Sequence, residues 1–199
     1  RDGGETIERD GPGPGEVLVR ITAAGLCHSD LSIINGDRPR VMPMVLGHEA
    51  AGIVEECGSG VTDLQRGDSV ALVFVPSCGH CGPCMEGRPA LCEPGAEANV
   101  AGTLLGGGRR LHRPDGALLN HQVGVSCFAE YAVVSRGTLV KVDPELPADV
   151  AAVFGCAVLT GVGAVINSAR IPLGATVAVI GLGGVGLAAL LGAHAAGAR

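Results

Sequence analysis

Residues 78–92 read Cys78-Gly-His-Cys81-Gly-Pro-Cys84-Met-Glu-Gly-Arg-Pro-Ala-Leu-Cys92, so four cysteines lie within fifteen residues. Zinc prefers four sulfur or nitrogen ligands in a tetrahedron, with zinc–sulfur distances of about 2.3 Å. The glycines and prolines between the cysteines provide the turns that allow so short a loop to surround one ion. We therefore expect a closed structural zinc site, which leaves no coordination position for a substrate.

Two disulfides, or free thiols, are the alternatives to a metal at this loop. No signal peptide is recognisable, so we expect a cytoplasmic protein, whose thiols stay reduced. This expectation favours zinc over disulfides. His80 is a possible replacement for one thiolate, but because four cysteines are available we interpret it as a solvated loop residue.

The composition argues against several classes of protein. Hydrophobic residues make up 47% of the 199 residues but aromatic residues only 2%, so aliphatic side chains must form the core. The net charge is −6, with no basic cluster beyond Arg109-Arg110, which argues against nucleic acid as a partner. Residues 175–198 lack charged side chains and are long enough to span a bilayer. Their clustered glycines predict a turn inside the segment, so we expect no membrane span.

The first part of the chain is predicted to be rich in β-structure. Val17, Val19 and Ile21 alternate with side chains on the opposite face, which indicates a strand over 16–22. Residues 102–120 are glycine- and arginine-rich and are expected to form an irregular surface loop. Four further segments are interpreted as strands: 50–57, 69–75, 130–134 and 139–142. Short strands separated by turns are typical of a small barrel-like domain.

The pattern changes near residue 157. Apolar residues recur at helical spacing from Val158 to Ile166, which predicts an amphipathic helix of about four turns. A strand is then expected at 176–180, followed by Gly181-Leu-Gly183-Gly184-Val185-Gly186 and a second helix. Strand, glycine turn and helix are the context that a dinucleotide fingerprint requires, and a tight turn that binds nothing is the alternative.

Three residues outside the cysteine loop are candidates for a second metal site. His48 stands between Gly47 and Glu49, and a lone histidine there would more often be a structural residue. Cys27 and Cys156 are two otherwise unassigned cysteines, each in a turn between elements. One histidine and two cysteines are a ligand set of catalytic zinc, which keeps its fourth position for water or substrate. The sequence alone leaves open whether the three converge.

Together these motifs resemble the zinc-dependent medium-chain alcohol dehydrogenases, in particular their class III-like subgroup. Gly47-His48-Glu49-x2-Gly52-x5-Gly58-x2-Val61 is similar to the zinc signature of that family. Gly25–Asp30, the four cysteines, Gly155-Cys156 and the glycine turn follow in the family's order, over nearly the whole chain. The resemblance implies a mixed α/β chain: a GroES-like β-rich catalytic domain over residues 1–156, then the first βα unit of a Rossmann cofactor domain over 157–199.

The resemblance also implies which residues form the catalytic centre. Two zinc ions per chain are implied, one structural and one catalytic. The implied ligands of the catalytic ion are Cys27, His48 and Cys156. Glu49 would lie beside the ion, Asp30 would orient His48, and Ser29 would take the proton of the alcohol.

Cofactor and substrate contacts are implied in the same way, for NAD or NADP as the cofactor. The residues implied to contact the cofactor are His28, Thr160, Gly181, Gly183, Gly184, Val185 and Gly186. The residues implied to shape the substrate pocket are Phe74, Gln122 and Val123. The implied activity is hydride transfer between an alcohol and its aldehyde or ketone and the nicotinamide, with zinc as the Lewis acid. A zinc-stabilised binding module without catalysis and a zinc-free quinone or enone reductase are the alternatives.

Some positions depart from the family pattern. Ser32 stands five residues after Cys27, where many relatives carry a histidine that passes the proton to solvent. In the glutathione-dependent formaldehyde dehydrogenases of this family, an arginine follows soon after the fourth structural cysteine. Here residues 93–96 read Glu-Pro-Gly-Ala, so a glutathione adduct is a less expected substrate. Cys57 and Cys127 match no ligand position and are interpreted as partly buried thiols.

The length of the second part predicts a truncated chain. One strand and one helix cannot complete a doubly wound sheet, because the strand would keep an unpaired edge and an uncovered face. We therefore expect a C-terminally truncated chain that binds zinc but does not turn over. The complete protein is expected to be a homodimer or homotetramer that acts on a small alcohol or aldehyde.

Overall fold

The computed structural model describes residues 5–199. The chain up to residue 141 contains two β-sheets, joined by turns, short helices and irregular segments. Their strands are β1 (Glu8–Arg9), β2 (Glu16–Gly25), β3 (Met44–Val45), β4 (Glu49–Cys57), β5 (Ser69–Leu72), β6 (Leu111–His112), β7 (Leu118–His121), β8 (Tyr131–Ser135) and β9 (Leu139–Lys141).

The larger sheet is antiparallel, with the strand order β8-β2-β4-β5-β9. Its strands include those expected at 16–22, 50–57, 69–75, 130–134 and 139–142, with ends shifted by a few residues. The main core lies against it and is largely aliphatic, as the composition predicted, with Val17, Val19, Val54 and Leu72 all fully buried. This core packs against β2 and β4 and so fixes the end of β2, near Cys27, and the start of β4, near His48.

One face of β2 departs from the expected alternation. Leu18, expected on the opposite face from Val17 and Val19, is also buried, at 4% exposure, against Leu104 and Val133. A loop that follows residue 101 in the chain covers this second face. Alternation therefore fails in the first half of β2, because the strand is covered on both sides.

The smaller sheet corrects the prediction that 102–120 is irregular. Its strand order is β1-β6-β7-β3, and both β6 and β7 fall in or at the end of that segment. Leu111 and Leu119 pair across these strands and are buried. Strands of two and four residues are too short to produce a recognisable alternating pattern, which explains why the sequence did not indicate them.

Six α-helices are found among the described residues, most of them short. They are α1 (His28–Ile34), α2 (Gly82–Met85), α3 (Glu93–Ala101), α4 (Ala148–Ala152), α5 (Leu159–Gly163) and α6 (Gly184–Ala195). A π-helical turn, Phe154–Val158, joins α4 to α5, and a second, Ala164–Ala169, extends α5, so that a nearly continuous helical stretch covers 148–169. The helix expected from Val158 onward is thus the second half of a longer one.

The strand expected at 176–180 is not formed. No described residue pairs with this segment, and Ile180 is fully exposed. A strand is defined by its hydrogen-bonded neighbour, and a lone apolar run has no ladder to join. The glycine turn and α6 that follow are present, and α6 packs against α5. Among the described residues, none of the helices combines the length and hydrophobicity needed to cross a bilayer.

Candidate active site and metal sites

The four cysteines of the loop over 78–92, called the cysteine loop below, lie together. The sulfur atoms of Cys78, Cys81, Cys84 and Cys92 are all within 4.8 Å of one another. Backbone N–H groups point at these sulfurs: that of Cys81 donates to Cys78 Sγ at 3.3 Å, and those of Cys78 and Gly95 donate to Cys92 Sγ at 3.2 and 3.3 Å. The loop is thus arranged to stabilise negative charge on sulfur.

The thiol pKa values within the cysteine loop differ widely. The backbone N–H of His80 is the main cause that lowers the pKa of Cys78 to about 6. Burial raises the pKa of Cys84 to about 12. Metal ligation requires all the thiols to be deprotonated, so a cation must supply the charge that the loop alone does not. Four sulfurs at these distances fit zinc, and no disulfide links the described cysteines.

His80 stays outside this set of donors. Its ring Nδ1 lies 2.8 Å from the carbonyl oxygen of Cys78, and the residue is exposed. Its position agrees with the interpretation of His80 as a loop residue.

Cys27, His48, Glu49 and Cys156 form a second group, called the donor cluster below. Their ligand atoms all lie within 4.8 Å of one another. Cys27 precedes α1, His48 and Glu49 stand at the start of β4, and Cys156 lies in the first π-helical turn. The fold therefore brings together residues from three separate elements.

Two glycines allow these elements to approach closely. A Cβ atom at Gly155 would collide with the carbonyl oxygen of Leu72, so glycine lets the helix carrying Cys156 lie directly on β5. Gly47 has a φ of +99°, and its Cα faces Phe128 and the sulfur of Cys127. A side chain at position 47 would therefore be both strained and blocked, and it would displace His48.

His48 is held by a buried carboxylate. Its Nδ1 lies 2.9 Å from Asp30 Oδ1, and the two residues are 4% and 3% exposed. Asp30 also accepts from the Cys27 backbone N–H at 3.1 Å and from Gln122 Nε2 at 2.8 Å. With Nδ1–H donating to Asp30, the other ring nitrogen, Nε2, is left with its lone pair toward the cluster. This is the usual arrangement of a metal-binding histidine.

The donor cluster fits a zinc ion by its chemistry. Two sulfurs, one imidazole nitrogen and a carboxylate oxygen are ligand types that zinc takes. Burial, and then the neighbouring Glu49 carboxylate, raise the pKa of the Cys156 thiol above its usual range. A buried thiol beside a carboxylate ionises only when a cation is close. A metal ion bound among these donors would supply that positive charge.

Two cavities adjoin the donor cluster. The larger cavity, of about 660 Å³, extends from Cys27 and Glu49 to the glycine turn. It brings together most of the residues expected to contact a cofactor, namely His28, Gly181, Gly183, Gly184, Val185 and Gly186. A Cβ atom at Gly186 would collide with the carbonyl oxygen of Gly181, so glycine is needed for the turn to close.

The smaller cavity, of about 420 Å³, has Cys27, His48 and Cys156 in its wall. It also contains six of the residues expected at the site: Ser29, Phe74, Gln122, Val123, Thr160 and Val185. The Phe74 ring meets that of His48 edge-on, with 6.0 Å between centroids. Cys27 and Val185 line both cavities, so the two meet at the donor cluster.

Sequence reasoning missed four residues of the smaller cavity. They are Ile33, Arg38, Arg40 and Asn99. Asn99 lies in α3, a helix that the sequence did not indicate. The two arginines follow α1 in a Gly-Asp-Arg-Pro segment that looks like an ordinary turn. Their nearness to His48 in the sequence was the only available signal.

The two remaining cysteines lie outside both metal sites. Cys57 is half-buried, with its sulfur 3.5 Å from the carbonyl oxygen of Leu64. Cys127 is only 1% exposed, so the expectation of a partly buried thiol is wrong for this residue. Burial raises its pKa to about 12. Cys127 lies beneath Gly47, at the centre of the main core.

Comparison with known proteins places the chain in a family. The profile of the family described as Alcohol dehydrogenase GroES-like domain matches residues 13–144. The "Putative alcohol dehydrogenase D" of Mycobacterium tuberculosis (strain ATCC 25618 / H37Rv) is 45% identical over 201 residues, which cover 97% of this chain and 52% of that protein.

Two crystal structures share the fold. An alcohol dehydrogenase zinc-binding domain protein from Burkholderia ambifaria superposes with a TM-score of 0.91 at 39% identity, over 98% of this chain and 53% of that one. The benzyl alcohol dehydrogenase of Acinetobacter calcoaceticus superposes with a TM-score of 0.88 at 36% identity, over 97% of this chain and 52% of that one. The chain thus spans about half the length of the relatives it matches.

These findings confirm two expectations from the sequence. The mixed α/β architecture with a β-rich GroES-like part is confirmed. The resemblance to zinc-dependent medium-chain alcohol dehydrogenases is confirmed as well. The chain belongs to the alcohol dehydrogenase GroES-like domain family.

Proposed function

We propose that the complete protein is a zinc-dependent oxidoreductase that transfers a hydride between an alcohol and its aldehyde or ketone and a nicotinamide cofactor, NAD or NADP. The observation that supports this most is the donor cluster at the junction of two cavities. One cavity leads to the glycine turn, and the other is lined by Phe74 and Val123. A reacting alcohol and a cofactor therefore both have space beside the same three ligands.

Cys27, His48 and Cys156 would hold the catalytic zinc, with Glu49 beside it. Zinc bound there would act as a Lewis acid that lowers the pKa of an alcohol oxygen. Asp30 fixes the ring of His48 through the 2.9 Å hydrogen bond, so the ligand nitrogen cannot rotate away. Gln122 in turn donates to Asp30 and accepts from the backbone N–H of Gly47, which ties the ligand loop to the cavity wall.

Other cavity residues would handle the proton and exclude water. Ser29 stands in the smaller cavity beside Cys27, where its hydroxyl would take the proton of the alcohol. Phe74 and Val123 would shield the reacting carbon from solvent. Ser32 is half-buried at the position five residues after Cys27. With serine there, proton transfer to solvent would run through water.

The glycine turn and α6 would bind the cofactor. NAD or NADP would supply the redox chemistry. Helix α6 starts at Gly184 without a side-chain cap, and the N–H groups at a helix N-terminus favour a pyrophosphate. His28 lines the same cavity and would contact that group. Thr160 and Val185 would pack against the nicotinamide ring.

The cysteine loop would hold a second, structural zinc through Cys78, Cys81, Cys84 and Cys92. Residues 1–156 would form the catalytic domain, and 157–199 would begin the cofactor domain. Helix α4 packs on β2 and β4, whereas α5 packs on α6, which supports a boundary between these helices. We place the complete protein in the cytoplasm as a homodimer or homotetramer, with neither nucleic acid nor membrane as a partner.

The test uses the full-length protein. Metal analysis should find two zinc ions per chain, and NAD(P)H should form when benzyl alcohol or a primary aliphatic alcohol is added. One zinc per chain without oxidation of any alcohol would indicate a zinc-stabilised binding module. Reduction of quinones that continues after complete zinc removal would indicate a zinc-free reductase.

A further inference from the structure

We propose that the smaller cavity accepts an alcohol or aldehyde that carries a carboxylate, and that Arg38 and Arg40 bind this carboxylate. The inference rests on the proposed function and names its substrate class. Both arginines come from the loop between α1 and β3, and both line the cavity that contains Cys27, His48 and Cys156.

The charge of the cavity wall favours an anion. Among residues 5–199, and apart from the proposed zinc ligands, Arg38 and Arg40 are the only side chains in this wall with a fixed charge. No aspartate or glutamate lines the smaller cavity: Asp30 is bonded to His48 behind the wall, and Glu49 faces the larger cavity. The Glu49 carboxylate belongs to the donor cluster, within 4.8 Å of its other ligand atoms, so the positive charge of the smaller cavity's wall comes from the two guanidinium groups.

Neither arginine is neutralised by the rest of the described chain. Five other arginines pair with a carboxylate, namely Arg20, Arg66, Arg110, Arg113 and Arg136. No ion pair or side-chain hydrogen bond involves Arg38 or Arg40 among residues 5–199. Two cations held on one cavity wall without counter-ions repel each other, and an anion between them would relieve this repulsion.

Two buried polar atoms at the cavity also lack partners. Arg40 Nε is buried and donates to no described residue, and Asn99 Oδ1 is buried and accepts from none. Native proteins satisfy nearly all buried polar groups, so an unpaired guanidinium N–H in a cavity wall indicates a missing acceptor. A carboxylate accepts two parallel hydrogen bonds from one guanidinium. Rotation of the Asn99 amide would present Nδ2 as a further donor.

The other residues of the cavity wall indicate what the rest of the substrate is like. Ile33, Phe74 and Val123 are apolar and would contact a hydrocarbon spacer. At about 420 Å³ the cavity has room for a benzene ring with a group at each end, beside the nicotinamide ring proposed to lie against Thr160 and Val185. The inferred substrate therefore has an alcohol or aldehyde carbon at one end, an apolar spacer, and a carboxylate at the other end.

The test compares 4-(hydroxymethyl)benzoate with the uncharged 4-(hydroxymethyl)benzamide, using the full-length zinc-loaded protein. We expect the wild-type kcat/KM to be at least about tenfold higher for the carboxylate, as charged hydrogen bonds are worth roughly 10- to 100-fold. Arg40→Gln should lower this ratio by about 10- to 100-fold, and Arg38→Gln should lower it less, because Arg38 is more exposed. Arg40→Lys should restore part of the ratio.

The control variant is Arg66→Gln, which removes the same charge from a side chain that is 79% exposed and outside the cavity wall. It should leave the ratio unchanged. Equal kcat/KM values for the two compounds, with benzyl alcohol still oxidised, would overturn the inference and leave the proposed function intact. The inference would also be overturned if Arg40→Gln lowers the melting temperature without changing the ratio of kcat/KM values, since the arginine would then have a structural role only. If no alcohol is oxidised, the proposed function itself fails.

Discussion

The cysteine loop and the donor cluster offer similar ligand atoms at similar distances, but they reach this arrangement differently. In the cysteine loop, four donors come from fifteen consecutive residues, and nearby backbone N–H groups point at the sulfurs. In the donor cluster, the residues run from position 27 to position 156 and meet only after β4, α1 and the helical stretch have packed. A local site is a property of a segment, whereas a dispersed site is a property of the fold.

The surroundings of the two sites differ in the same way. The donor cluster is bordered by the buried carboxylates of Asp30 and Glu49 and adjoins two cavities. The cysteine loop has no comparable carboxylate among the described residues of its donor set. The donor cluster thus has carboxylates and space beside it for the proposed reaction, whereas the role that we propose for the cysteine loop is structural. The two sites should therefore respond separately to substitution.

The largest expected effect is on activity. His48→Ala in the full-length protein should lower kcat/KM for alcohol oxidation by at least about a thousandfold, because a proposed ligand of the catalytic zinc is lost. Metal analysis should find that one of two zinc ions remains, held by the cysteine loop. The matched control is His80→Ala, which should retain both ions and the activity. Wild-type activity in His48→Ala would contradict the assignment.

Substitution in the cysteine loop should affect stability instead. Cys92→Ser should remove the structural zinc and lower the free energy of unfolding by about 4 kcal/mol when free zinc exceeds its Kd roughly a thousandfold. Thermal unfolding with and without a chelator measures this, and the variant should be insensitive to the chelator at this site. Cys57→Ser, outside both sites, should keep two zinc ions. Loss of both ions in Cys92→Ser would show that the sites are not independent.

Acid should weaken the fold on which the donor cluster depends. His121 is fully buried in β7, next to Gln122, and burial lowers its pKa to about 4, while Glu16 opposes and Arg109 and Arg110 support this shift. Between about pH 6.5 and pH 4, His121 binds a proton more readily in the unfolded chain than in the folded one. Its contribution to the free energy of unfolding is therefore fully present above pH 6.5 and is lost as the pH drops toward 4. The loss from this residue is about 3 kcal/mol at most.

Denaturant titrations from pH 7 to pH 4 on the wild type and on His121→Gln measure this contribution. The variant should show a flatter dependence on pH across that window. Parallel profiles for the two proteins would mean that other groups cause the acid sensitivity.

The smallest expected effect concerns the orientation of a ligand. Asp30→Asn keeps an acceptor for His48 Nδ1 but removes the charge, so zinc affinity at the donor cluster or activity should fall about 10- to 100-fold. Competition with a chromophoric chelator measures the affinity. The control is Asp37→Asn, an exposed residue on the loop after α1, which should change neither quantity. An unchanged affinity in Asp30→Asn would mean that packing alone holds the ring.

The comparison also explains what the sequence could predict. The cysteine loop was recognisable because its spacing already limits its geometry, and the strands around Val17 and Val54 were recognisable from their apolar residues. The convergence of Cys27, His48 and Cys156 came from resemblance, since spacing carries no information over such separations. Local patterns are informative only about neighbours in the chain.

The misses have physical causes as well. Leu18 broke the alternation because a distant loop covers its face, and the segment 176–180 has no pairing neighbour among residues 5–199 that would make it a strand. Arg38 and Arg40 appeared to be turn residues, because their importance depends on a cavity wall built from other elements. In these three cases a distant part of the chain decides the outcome, whereas β6 and β7 were missed because they are short.

The helical stretch over 148–169 has a practical consequence for protein engineering. Cys156 and Thr160 stand about one turn apart on it, so a proposed ligand of the metal and a proposed contact of the cofactor lie on the same helical stretch. In a chimera joined at position 156, a difference in helical twist between the two halves would rotate Cys156 relative to Thr160. Parts exchanged between relatives should be joined before Pro147 or after Arg170, where the chain leaves the helix and a small mismatch is absorbed by a turn.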